Sequence, residues 1–146
     1  MTKIMVAIDG SDYGIAAVRT AIELAQSCSL KELTCVHVVS LKPGEIGKLD
    51  YPERPDTPER WPICQEPLVI ARSAGVKMRC VVLYGNPAEQ ILHYARQKQV
   101  DLIIMGSLGI SGIKEFFLGS VATRVVANAP CSVLIVRPGF RLTGQS

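Results

Sequence analysis

Short apolar runs alternate along this chain with stripes of apolar residues at helical spacing. Lys3–Ile8 is an apolar run closed by Asp9-Gly10-Ser11, the mark of a strand entering a turn. Ile15, Val18, Ile22 and Ala25 follow at the spacing of one helix face, with Ser11 placed to cap that helix. Leu33–Val39, rich in β-branched residues, predicts a second strand, and Val76–Leu83 a third. Asn86-Pro87-Ala88-Glu89 has the composition of a helix start: a capping Asn, Pro at the first position and Glu at the third. Ile91, Leu92 and Ala95 supply its buried face. Asp101–Met105 is almost continuously apolar, as expected of a strand covered on both sides. Val121, Val125 and Val126 predict a helix ending before Pro130, and Cys131–Val136 a fifth strand. Strands alternating with helices imply an α/β fold, a parallel sheet with helices on both faces.

Residues 41–67 interrupt this rhythm with six of the nine prolines, Pro43, Pro52, Pro55, Pro58, Pro62 and Pro67. Proline lacks the backbone donor and disfavours helix in the residue before it. The stretch therefore reads as an extended surface crossover anchored at Trp61, either a solvated linker or a lid or docking loop. The helix before the third strand is confined to about Glu66–Ala74. One domain over residues 1–138 is expected, with a polar, frayed tail at 139–146.

Composition narrows the function. With 146 residues, 48% hydrophobic and 20% charged, the chain is globular, and aromatics at 5% leave an aliphatic core. A formal charge of +3 without a basic cluster argues against nucleic acid. No apolar run reaches the ~20 residues of a membrane helix, and Asp9 breaks the first run too early for a signal-peptide core. The five cysteines contain no C-x-x-C, and Cys35, Cys80 and Cys131 lie in apolar segments. They read as reduced core thiols of a cytoplasmic protein. Two histidines, His37 and His93, offer no zinc set. They read as a packed strand residue and a surface helix residue.

The chemistry concentrates in a glycine-rich loop. Gly106, Gly109, Gly112 and Gly119 are four of the twelve glycines, set between a strand end and a helix start. Open α/β sheets bind ligands at that place. Glycine admits a ligand close to the main chain, and a helix start offers unpaired N–H groups and a positive dipole end. Ser120 adds a hydroxyl, and Ser107 and Ser111, inside the loop, are either loop residues or further candidate donors to a phosphate. The spacing Gly106-x2-Gly109-x9-Gly119-Ser120 arises by chance in on the order of one chain in a hundred of this length. It is neither a Walker A loop nor the Rossmann fingerprint. Lys114 reads as a solvated charge, and Arg124, one turn into the last helix, is a candidate for reaching a phosphate.

These segments resemble the universal stress protein family. The resemblance rests on Val6–Ser11, His37-Val38-Val39, Gly85-Asn86-Pro87, Asp101–Ser107, Gly119-Ser120-Val121-Ala122 and Ala129–Val136, nearly the whole chain. It implies a five-stranded sheet of order 3-2-1-4-5. It also implies membership of the ATP-binding branch, which carries the glycine motif. Gly106, Gly109, Gly119 and Ser120 would hold the ribose and phosphates of ATP, with Mg²⁺ expected alongside. Asp9 would sit beside the nucleotide, and Val38 would meet the adenine edge through its backbone. The family pairs its last strands into homodimers, here through Cys131–Val136.

Several readings stay open from sequence. Asp9 is either a turn carboxylate or a ligand to ribose or Mg²⁺. Ser11 reads as a cap and Asp12 as a first-turn acid. No Ser-His-Asp set and no paired carboxylates can be assembled, so no catalytic residue is assigned. The expected function is nucleotide held as a regulatory ligand. The alternatives are a weak ATPase or autokinase, and a nucleotide-free dimeric scaffold.

Overall fold

The computed structural model describes residues 2–30, 32–41, 57–108 and 118–142. Strands β1 (Ile4–Ile8), β2 (Leu33–Ser40), β3 (Met78–Gly85), β4 (Leu102–Gly106) and β5 (Ser132–Val136) form one sheet of order β3-β2-β1-β4-β5. Every pairing is parallel. The expected fold class and strand order are therefore both present. The helices are α1 (Asp12–Ser27), α2 (Pro62–Ser73), α3 (Pro87–Gln97) and α4 (Ser120–Asn128).

The sheet separates two apolar layers. Ile4, Val6 and Ile8 face α1 and α2, packing with Val18, Ile22, Cys35 and Cys80. Met5, Ala7 and Ile103 face α3 and α4, packing with Ile91, Leu92 and Val125. Period-two alternation along β1 thus feeds both cores, and all five of its residues are buried. At its amino end β1 is tied to β4 by the Lys3 amide, which donates to Asp101 Oδ2 at 2.7 Å.

The helix starts follow their sequence signals. Ser11 Oγ accepts from the Gly14 amide at 3.3 Å, and Asn86 Oδ1 from the Glu89 amide at 3.0 Å.

The prolines mislead in one place. Pro58–Arg60 forms a turn of 3-10 helix, and α2 begins at Pro62, four residues before the expected Glu66. Pro62 occupies the first helical position, where no donor is required. Pro67 lies inside the helix and is fully buried, so its ring is packing surface that offsets the lost hydrogen bond. Trp61 stands at the entry to α2, its ring edge-on to Tyr84 at 6.3 Å between centroids, and so anchors this end of the crossover. Residues 42–56 of the crossover lie outside the described residues. The chain beyond β5 is not wholly loose: the Leu142 amide donates to Glu23 Oε2 of α1 at 3.0 Å. Among the described residues no helix is long and apolar enough to cross a membrane.

Candidate functional site

The carboxyl ends of β1 and β4 lie side by side at the centre of the sheet. From β1 the chain turns to one face through α1, and from β4 to the opposite face through α4. A crevice opens between such diverging connections.

Asp9-Gly10-Ser11 forms the β1 side. Gly10 sits at φ +90°, which a residue with a Cβ rarely adopts. Asp9 Oδ1 accepts from the Ser11 amide at 3.0 Å and from the Ser11 hydroxyl at 2.5 Å. Ser11 Oγ in turn receives the Gly14 amide. Asp9 is therefore at least a turn carboxylate, half-buried at the mouth of the crevice and pinned by its own turn. Both bonds fall on one carboxylate oxygen, Oδ1.

The β4 side is built by main-chain hydrogen bonds. The Ser107 amide donates to the Val136 carbonyl at 3.1 Å, and the Gly119 amide to the Ser107 carbonyl at 2.8 Å. The second bond holds the start of α4 against the end of β4. Gly119 is the N-cap of α4, and among the described residues no side chain caps the helix. The Thr123 amide takes the Gly119 carbonyl at 2.9 Å, while the first-turn amides have no intrahelical acceptor. Those N–H groups and the exposed Ser120 hydroxyl face outward at the positive end of the helix dipole.

Val38 contributes from β2. Its side chain is buried in the α3–α4 core, so only its main chain is available to a ligand. Leu33 and Leu41 donate to carbonyls on the β3 side, and strand alternation turns the main chain of Val38 to the opposite edge. There β1 has already ended, with Ile8 opposite His37. The Val38 carbonyl thus projects past the end of β1. His37 is the packed strand residue expected: its Nδ1–H donates to the Ile8 carbonyl at 3.1 Å.

The structure brings Asp9, Val38, Gly106, Gly119 and Ser120 to one end of three neighbouring strands. Gly109 lies outside the described residues, as do Ser111, Gly112 and Lys114. Arg124, the candidate for reaching a phosphate, is engaged elsewhere. It turns toward α3, where its Nη2 donates to Glu89 Oε1 at 3.0 Å. A helix position one turn in fixes height along the axis, whereas the face it presents depends on the neighbouring helix.

Sequence reasoning missed Tyr13. Its backbone and Cβ abut Gly106, and its hydroxyl has no hydrogen-bond partner among the described residues. No sequence signal marks it, because an aromatic in a first helical turn is ordinary. Nor does any cluster of His, Cys, Asp or Glu among the described residues suit a metal ion by itself.

The family model described as "Universal stress protein family" matches residues 1–137. The chain belongs to that family. Universal stress protein YxiE of Bacillus subtilis is 38% identical over 146 residues, covering 92% of this chain and 98% of YxiE. Among solved structures, protein MJ0577 superposes with a TM-score of 0.72 at 25% identity, over 97% of this chain and 99% of its own. A universal stress protein solved in complex with cAMP gives a TM-score of 0.67 at 26% identity, over 93% of this chain and 96% of the other.

Proposed function

We propose that this universal stress protein binds an adenine nucleotide, ATP with Mg²⁺, as a regulatory ligand in the crevice between β1 and β4. The observation that carries this reading is the start of α4, held beside the end of β4 by the Gly119–Ser107 hydrogen bond and, among the described residues, without a side-chain cap. Main-chain amides in that position suit the phosphates, with the Ser120 hydroxyl beside them. The carbonyl of Val38 suits the adenine amino group as a hydrogen-bond donor, and Asp9 suits a ribose hydroxyl or a phosphate-bound Mg²⁺. Gly109 completes the motif in the ATP-binding branch to which we assign the chain. The cAMP complex of a relative supports an adenine nucleotide as the ligand class.

The mode of action is linkage. A ligand that binds only the folded protein stabilises it by ~2.7 kcal/mol at a hundred times its dissociation constant. A homodimer through β5 is part of the same proposal. This strand is at the edge of the sheet, with its last residue buried and its middle three half-buried. The proposal places the protein in the cytoplasm, with residues 1–138 as one nucleotide-binding unit.

Calorimetric titration with ATP, ADP, AMP and cAMP, with and without Mg²⁺, tests the reading. Saturable binding of ATP at one site per chain is expected, weakened as phosphates are removed. No binding of any of the four overturns it. Phosphate release measured in the same samples separates a held ligand from a turned-over substrate.

A further inference from the structure

We propose that the groove between α3 and α4 is a second ligand site, which takes a phosphate monoester dianion. The groove is a broad, open depression of about 510 Å³ and shares no residue with the crevice between β1 and β4. That size is within the range of small-molecule sites. Glu89, His93 and Arg96 lie along one stripe of α3, and Arg124 and Asn128 along the facing stripe of α4. Leu92, buried in the core beneath, closes the floor.

Two guanidinium groups from different helices line this groove. Arg124 donates to Glu89 at 3.0 Å, and Arg96 donates to the Asn128 carbonyl at 3.2 Å. Each guanidinium has five N–H donors in a planar fork, so both retain donors beyond these bonds. His93 has no hydrogen-bond partner among the described residues and adds a ring N–H to the same lining. Two positive charges against the single Glu89 carboxylate leave the lining net positive. Donors on three side chains of one groove suit the three terminal oxygens of a phosphate monoester better than the two of a carboxylate.

The Glu89–Arg124 ion pair does not block such a ligand. Both side chains are about half exposed, at 58% and 48%, and pairs of this kind contribute little to stability. A dianion can displace the Glu89 carboxylate from Arg124 and repel it outward. Glu89 is then a built-in competitor, and its removal should strengthen binding.

Two-dimensional amide NMR of the full chain, titrated with phenyl phosphate, tests the proposal. The expected result is saturable shifts at His93, Arg96, Arg124 and Asn128, with Gly106 and Ser120 unmoved. Arg96→Gln and Arg124→Gln should each weaken binding at least tenfold, and Glu89→Gln should tighten it severalfold. A phosphoserine peptide and its unphosphorylated form, run in parallel, distinguish a protein-borne phosphate from a free one. Tighter binding of either phosphorylated probe supports the site. The proposal is overturned if neither probe saturates, if shifts fall at Gly106 and Ser120 instead, or if Glu89→Gln weakens binding. It stands or falls independently of the nucleotide crevice.

Discussion

Gly106 and Tyr13 are packed so closely that no side chain fits between them. A Cβ on Gly106 would stand 2.7 Å from Tyr13 Cβ and 2.8 Å from the Tyr13 carbonyl carbon and oxygen. Two of those atoms are backbone in the first turn of α1, which cannot swing away as a flexible side chain can. Gly106 is thus a glycine because β4 and α1 meet there, whatever ligand the following loop holds.

Gly106→Ala should accordingly destabilise the protein without any ligand present. Forcing a methyl group into a filled contact costs typically ~1–3 kcal/mol. Urea denaturation of the nucleotide-free variant measures it. A midpoint equal to wild type would show that the contact relaxes freely.

Gly119→Asp should move stability and nucleotide affinity in opposite directions. Gly119 has φ −61° and ψ 161°, a backbone that any residue can adopt. An aspartate there caps the open amides of α4 and complements its dipole, adding a few tenths of a kcal/mol. The same carboxylate would occupy the amides proposed for phosphate and repel it. Thermal melting combined with ATP titration reads both effects, and undiminished ATP binding would displace the phosphates from this helix.

Asp9→Asn and Asp9→Ala should differ. Asparagine keeps an oxygen for the Ser11 amide and hydroxyl, so its stability should lie within about 1 kcal/mol of wild type. Alanine loses both bonds and loosens the turn beneath the Ser11 cap, which should lower the melting temperature further. If nucleotide affinity falls in the asparagine variant while stability holds, the carboxylate charge itself contacts ligand or Mg²⁺.

The buried thiols should report on alkaline pH. Cys64 is held well above the ordinary thiol range, first by its hydrogen bond to Cys80 and then by burial. Cys80 is pushed up to about 12 by its hydrogen bond to Cys35 and by burial. Burial also raises Cys131. In the unfolded chain these thiols ionise near 8.5, while in the fold they stay protonated. The unfolded state therefore binds fewer protons above that value, and stability falls as pH rises through 9 and 10. Urea midpoints across pH 8–10 should decline less steeply in Cys64→Ala than in wild type. A disulfide-exchange reagent on the native protein should label exposed Cys28 first and leave Cys35, Cys64 and Cys80 silent until denaturant is added.

Much of the fold was legible because its elements are local. Five apolar runs and three amphipathic stripes carry their own periodicity, and Asn86-Pro87 and Ser11 act within one helical turn. The strand order came from the family resemblance, since no pattern within a strand says which neighbour it takes. The error at α2 arose from weighing Pro67 by its lost hydrogen bond alone; its burial is a tertiary fact. Distance hid the rest. Tyr13 and Glu89 constrain Gly106 and Arg124 from far along the chain, and Val38 offers main-chain atoms that leave no trace in residue type.

The bond from Gly119 to Ser107 works like a drawstring at the neck of a purse. Ser107 and Gly119, the two ends of the connection, are fixed against each other by main chain alone, so the start of α4 takes its position from β4. The start of α4 therefore keeps its place beside β4 through a bond that no side-chain substitution short of proline can remove.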